Sequence, residues 1–110
     1  MSAAGYVPET GDIVWLDFSP QTGHEQAGRR PAFVLTPGIY NRHGLMLCCP
    51  MTTKRKGYPF EVFVEDGSIV LADQVKSVDW RKRNAQLKSR ASDVILRQVR
   101  TKAIKLIGGS

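Results

Sequence analysis

Two short apolar runs set the frame of this chain. Pro31-Ala-Phe-Val-Leu-Thr36 and Leu45-Met-Leu-Cys-Cys-Pro50 have strand length, and their apolar residues do not alternate with polar ones. Runs of that kind describe strands buried on both faces, in the middle of a sheet. Pro37-Gly38 and Asn41-Arg-His-Gly44 lie between them and supply turn chemistry. A chain of 110 residues has room around such a pair for one domain, residues 1–110, and one modest core.

The remaining segments add edges to that centre. Asp12-Ile-Val-Trp-Leu-Asp-Phe18, rich in β-branched and aromatic residues, reads as a first strand, followed by a loop from about Ser19 to Arg30. Phe60–Val64 and Ile69–Ala72 flank Glu65-Asp66-Gly67-Ser68, a hairpin turn with Asp-Gly inside it. Gln74–Val78 continues the second of these strands, and a short strand falls near Ala85–Lys88. Ser92 then reads as an N-cap with Asp93 in the first turn, and Leu96, Val99, Ala103 and Ile107 form an apolar stripe. Gly108-Gly109 ends that helix. The fold class is therefore mainly β with an appended α-helix, arranged as a small, strongly bent sheet or partial barrel. An apolar sheet carrying Trp15 and Trp80 is expected to bury some of its surface between subunits.

Charge points to a partner. Sixteen Lys and Arg against ten Asp and Glu give a net charge of +6, which suits a polyanion, nucleic acid first and an acidic protein second. No long apolar run or basic amphipathic start favours a membrane, and Met1-Ser-Ala-Ala-Gly5 lacks the features of a signal peptide. Cys48 and Cys49 are adjacent on a strand, so their side chains point to opposite faces and a mutual disulfide is disfavoured. They read as reduced thiols of a cytoplasmic protein. Neither they nor the dispersed carboxylates have the spacing of metal ligands, so no metal and no cofactor is expected.

The densest chemistry lies in Gly23-His-Glu-Gln-Ala-Gly-Arg-Arg-Pro31. Pro31 holds Arg30 extended where a strand begins, while His24 and Glu25 ride on the loop. Fixed positive charge beneath titratable groups suits a polyanion, though the same residues also fit a solvated hairpin loop. Arg29-Arg30, Lys54-Arg55-Lys56 and Arg81-Lys82-Arg83 are basic clusters near strand ends, as a phosphate backbone would require. Thr52, at the end of its strand, is either the cap of a turn or a hydroxyl for a phosphate oxygen. Asp73, with Gln74, is either a turn or bulge residue or a polar site residue. Tyr58 offers a face on which an unstacked base can lie, and Phe60 reads as core.

These groups suffice for one reaction. RNA is cut without a metal when its 2′-hydroxyl attacks the adjacent phosphate, giving a cyclic phosphate and a free 5′-hydroxyl. Glu25 or His24 can be the base, Arg30 can clamp the phosphate bidentately, and Thr52 can orient it.

The chain resembles the MazF/PemK (Kid) family of toxin endoribonucleases from toxin–antitoxin modules. The matching segments are Gly11-Asp-Ile-Val-Trp15 with Phe18 and Pro20, Gly23–Pro31, Pro50-Met-Thr-Thr53, Lys56-Gly-Tyr-Pro-Phe-Glu-Val62 and Val70-Leu-Ala-Asp-Gln-Val-Lys-Ser77. The resemblance implies an SH3-like partial barrel acting as a homodimer, metal-independent cleavage of single-stranded mRNA at a short sequence, and an acidic MazE/PemI-like antitoxin whose tail fills the RNA groove. It implies catalytic roles for Arg30, Thr52 and Glu25, and RNA contacts from His24, Gln26, Arg29, Lys56, Tyr58, Asp73, Gln74 and Ser77. The Kid branch uses positions equivalent to His24 and Asp73 together with an arginine, and that arginine's place is Leu71 here. The arginine–threonine scheme is therefore favoured, with Arg30, always protonated, stabilising the phosphorane. Two other readings fit less well. A gyrase-poisoning toxin of this fold would end in Trp-Gly-Ile, where this sequence has Leu106-Ile-Gly-Gly-Ser110. A non-catalytic RNA-binding module would need the basic clusters, and not Glu25, Arg30 and Thr52 together.

Overall fold

The computed structural model describes residues 5–18 and 28–109. The chain order is β1 (Asp12–Phe18), β2 (Gly28–Val34), α1 (Gly38–Asn41), β3 (Leu45–Thr52), β4 (Glu61–Phe63), β5 (Ile69–Leu71), β6 (Lys76–Asp79), β7 (Gln86–Arg90) and α2 (Asp93–Leu106). The strands pair antiparallel in the order β4-β5-β3-β2-β1-β7, with β6 also against β3. β2 and β3 thus lie at the centre, as their apolar runs require.

Parity explains why those runs do not alternate. Odd-numbered Ile13, Phe33, Cys49 and Met51 join Val62, Val70, Ile95 and Val99 in one core. Even-numbered Val14, Leu16, Ala32, Val34, Met46 and Cys48 join Val78 and Trp80 in another. Successive side chains point to opposite faces of a strand, so β1, β2 and β3 feed both cores at once. Residues of α2 close the first core, while Tyr6, Val7, Phe18 and Ala85 pack on the second. A polar knot braces that second core: fully buried Asn41 donates to Pro8 O (2.8 Å) and Thr36 O (2.7 Å), and its carbonyl accepts from Trp80 Nε1 (2.6 Å). Trp80 is therefore buried inside its own chain, and is not available as surface for a second subunit.

β3 carries two partners along one edge. Its Met51 and Thr52 pair with Val70 and Ile69 of β5, and its Leu45–Cys48 half pairs with β6. Residues 72–75 make the offset between these two stretches. The expected continuation of the β5 strand beyond Gln74 is thus present, but it starts at Lys76 after a break. The Asp66-Gly67 turn forms as expected, with Gly67 at φ +93° and Ser68 N donating to Asp66 Oδ1 (2.9 Å).

Four expectations change. β2 starts at Gly28, so Arg29 and Arg30 are strand residues. Pro31 is tolerated there because pairing with β3 begins only at Ala32, so no bond to β3 is lost at Pro31. β3 runs on to Thr52, and a short helical turn, α1, follows Pro37. In α2, Ser92 caps the helix by accepting from Ile95 N, and Ile95, Val99 and Ala103 form the buried face. Ile107 does not join them: the helix ends at Leu106 and Ile107 is 80% exposed.

Candidate active site

The upper end of β2 and β3 brings two of the expected site residues together. Cα pairing runs Val34↔Cys48, Phe33↔Cys49, Ala32↔Pro50 and then stops. Arg30 lies two residues beyond Ala32 on β2 and Thr52 two residues beyond Pro50 on β3, and both share the parity of the second core. They flank the point where the two strands part. Arg30 is exposed and sits opposite Leu16, a residue with no exposed surface, so its base is fixed on the buried sheet. Thr52 is half-buried, and its Oγ1 accepts from Lys54 N (3.1 Å). The turn-cap reading of Thr52 is thus present, and the hydroxyl proton is left to donate to another acceptor.

Arg29 points the other way. Its guanidinium donates to Asp17 Oδ1, to Asn84 O (2.8 Å) and to Gln86 Oε1 (3.3 Å). Asn84, at φ +53°, also donates from Nδ2 to Asp17 Oδ2 (2.7 Å). Asn84 first, and then Arg29, hold the Asp17 carboxyl below the ordinary carboxylate range. No local pattern announces this network, because its members come from β1, β2, the turn before β7 and β7 itself.

Past Thr52, residues 53–59 form an exposed basic loop that carries Lys56 and Tyr58. Tyr58 is 50% exposed and stacks at 5.2 Å on Phe60, which is half-buried. Arg55 lies over the Phe63 ring at 4.7 Å. Two residues that sequence reasoning missed hold this loop. Glu61 accepts from Lys56 N (3.1 Å) and Gly57 N (3.0 Å), and Lys102 of α2 donates to Pro59 O.

Asp73 and Gln74 lie exposed in the break between β5 and β6, on the edge of β3 away from β2. Gln74 N closes a turn onto Leu71 O (3.0 Å). Ser77 pairs with Leu47, five residues down β3 from Thr52 and so about 16 Å from it along the strand. Ser77 is thus not gathered with Thr52, although one extended ligand can reach both. His24, Glu25 and Gln26 lie outside the described residues. Among the described residues, no three His, Cys, Asp or Glu side chains are grouped to hold a metal ion. Cys48 and Cys49 are buried free thiols in opposite cores. Burial is the main cause that pushes their pKa values up, to about 11 and about 12.

Residues 9–107 match the family model described as PemK-like, MazF-like toxin of type II toxin–antitoxin system. The chain belongs to that family. It is 50% identical over 107 residues to the endoribonuclease toxin MazF of Escherichia coli (strain K12), covering 94% of this chain and 96% of that one. It is 34% identical to the endoribonuclease toxin ChpB of the same strain, over 82% of this chain and 85% of the relative. Among solved structures, a MazE–MazF complex from Deinococcus radiodurans contains a chain that superposes with a TM-score of 0.90 at 50% identity, covering 96% of this chain and 99% of that one. The mainly β fold with its bent sheet and C-terminal helix is therefore that of the MazF structures. In this PemK/MazF-type chain Arg30 and Thr52 each lie two residues beyond the last β2–β3 pair, 22 residues apart in sequence.

Proposed function

We propose that the chain is an endoribonuclease toxin that cuts single-stranded mRNA through the RNA's own 2′-hydroxyl. The carrying observation is Arg30 on β2 and Thr52 on β3, each two residues beyond the last pair of these neighbouring strands, in a chain 50% identical to an endoribonuclease toxin. In this reading the 2′-oxygen forms a bond to phosphorus as Glu25 or His24 takes its proton. The bond from phosphorus to the 5′-oxygen breaks, and that oxygen takes a proton from water as it leaves, the hydroxide so formed being neutralised by the proton the base gives up. Arg30 stabilises the negative charge on the phosphorane, and Thr52 donates its proton to a phosphate oxygen. Lys56 and Tyr58 hold the RNA by charge and stacking, and Gln26, Asp73, Gln74 and Ser77 contact it further along. No metal ion or other cofactor enters any step.

One short RNA containing a cut site tests this. Cleavage persists in excess EDTA, the upstream product carries a 2′,3′-cyclic phosphate, and the downstream product carries a 5′-hydroxyl. Replacing the ribose 5′ to the scissile phosphate by deoxyribose stops cleavage and leaves binding nearly intact, because groove affinity rests on phosphates and bases. A deoxy substrate cut at the normal rate makes water the nucleophile and removes these roles.

The partner is an acidic antitoxin. The net charge of +6 and the MazE–MazF complexes of a 50%-identical relative support it. The active unit is a homodimer, for which exposed Ile39, Tyr40 and Leu45 supply apolar surface. Sedimentation at micromolar concentration gives twice the 12.2 kDa monomer mass, and a monomer that still cuts RNA refutes this. The protein acts in the cytoplasm, where its two unpaired thiols stay reduced.

A further inference from the structure

Glu61 is a charged residue in a place where charge is costly. It opens β4 and is only 6% exposed, yet its two carboxylate oxygens have different partners in one loop. Oε2 accepts from Lys56 N (3.1 Å) and Oε1 from Gly57 N (3.0 Å). A buried carboxylate is tolerated when its oxygens are satisfied, and here consecutive backbone amides do so. Gly57 has φ +79°, so the backbone turns at that point in a way that L side chains disfavour. The carboxylate holds that turn from below. A second tie comes from α2, where Lys102 reaches Pro59 O. Between these ties stands Tyr58, stacked on Phe60.

We propose that Glu61 is the positioning residue that pre-sets the loop carrying Lys54, Lys56 and Tyr58 for single-stranded RNA. The inference rests on the reading of the chain as an RNA-cleaving enzyme and goes further. It assigns the affinity of that loop to an acidic side chain that is itself buried, 6% exposed, and bound to the loop's backbone amides. A basic loop left to itself would be spread by charge repulsion and would lose freedom on binding. The Glu61 carboxylate orders the loop backbone at Lys56 and Gly57, in the segment that carries Lys54, Arg55 and Lys56.

Glu61→Gln tests this with little change in volume. It offers one oxygen in place of two and turns an NH2 donor towards a backbone donor. For cleavage of a single-stranded RNA, KM rises roughly tenfold while kcat at saturation changes by less than about twofold. Amide hydrogen exchange at Lys56 and Gly57 quickens in the same variant. Adding Lys56→Ala raises KM less than it does in the parent, because the two residues act through one loop. A merely structural role lowers the active fraction and therefore kcat, and leaves KM in place. Should Glu61→Gln not fold, Lys102→Met releases the same loop from α2, with KM rising about threefold. An unchanged KM in a folded variant whose Lys56 and Gly57 amides exchange faster overturns the proposal, and so do amides that exchange no faster. A parent protein that cuts no RNA overturns the functional reading, which is a separate outcome.

Discussion

Arg29 and Arg30 are neighbours on β2, and the strand gives them opposite surroundings. Arg29 faces Asp17 across the β1–β2 ladder, and its guanidinium is held by Asp17, Asn84 and Gln86. Arg30 faces Leu16 on the other side of the sheet, beside the end of β3 and Thr52. One arginine closes three segments of the fold upon each other; the other stands past the last β2–β3 pair, where β3 runs on to Thr52. Charge and helix or strand propensity are the same for both. Only the period of two along a strand separates them, so a shift of one residue in β2 would exchange their roles.

A pair of substitutions tests this division most strongly. Arg30→Ala removes a charged contact to the transition state, at roughly 3–4 kcal/mol, a loss of about a hundred- to a thousandfold in cleavage rate. Its urea midpoint stays near that of the parent. Arg29→Ala does the reverse: stability falls by about 1 kcal/mol, an ion pair this exposed being worth little more. Cleavage by the folded fraction stays within a few-fold of the parent. Sequence reasoning gave Arg29 a contact to RNA, and its network makes stability the larger readout. Single-turnover rates and urea titrations on both variants decide. Equal losses of rate with no loss of stability would break the comparison.

How much of this was legible from sequence follows the reach of each signal. The bounds of β1, the two-faced burial of β2 and β3 and the Ser92 cap rest on local pattern, and the structure has them. The start of β2 was missed because Gly28-Arg-Arg has no apolar signal; its strand form comes from pairing with Phe18, Asp17 and Leu16. Ile107 fits the helical period, yet the helix ends one residue before it. Periodicity gives a direction and no endpoint. Arg30 and Thr52 are paired by motif, while their places on neighbouring strands, each two residues past the last pair, need the register of β2 on β3. Glu61 lies inside the matching Lys56–Val62 segment, yet its role is not legible there, since its partners are backbone amides, which every sequence supplies.

The smallest effect expected is the response of the Arg29 side to acid, and it isolates charge from shape. Asn84 and Arg29 hold the Asp17 carboxyl below its ordinary value of 3.8. A carboxyl with a lowered folded-state pKa adds stability above its unfolded value, and this is lost as pH falls through the folded one. The Asp17 contribution is therefore constant near neutrality and fades below about pH 4. Asp17→Asn keeps the shape and removes the charge, so urea midpoints of parent and variant should differ between pH 5 and 7 and converge in acid. Added salt should narrow the neutral-pH gap, because Asp17 and Arg29 are both reached by solvent. A gap between parent and Asp17→Asn that persists well below pH 3.8 would assign the network to shape and hydrogen bonding alone. The Arg29 face would then be held by Asn84 and the backbone, with its ion pair contributing nothing measurable.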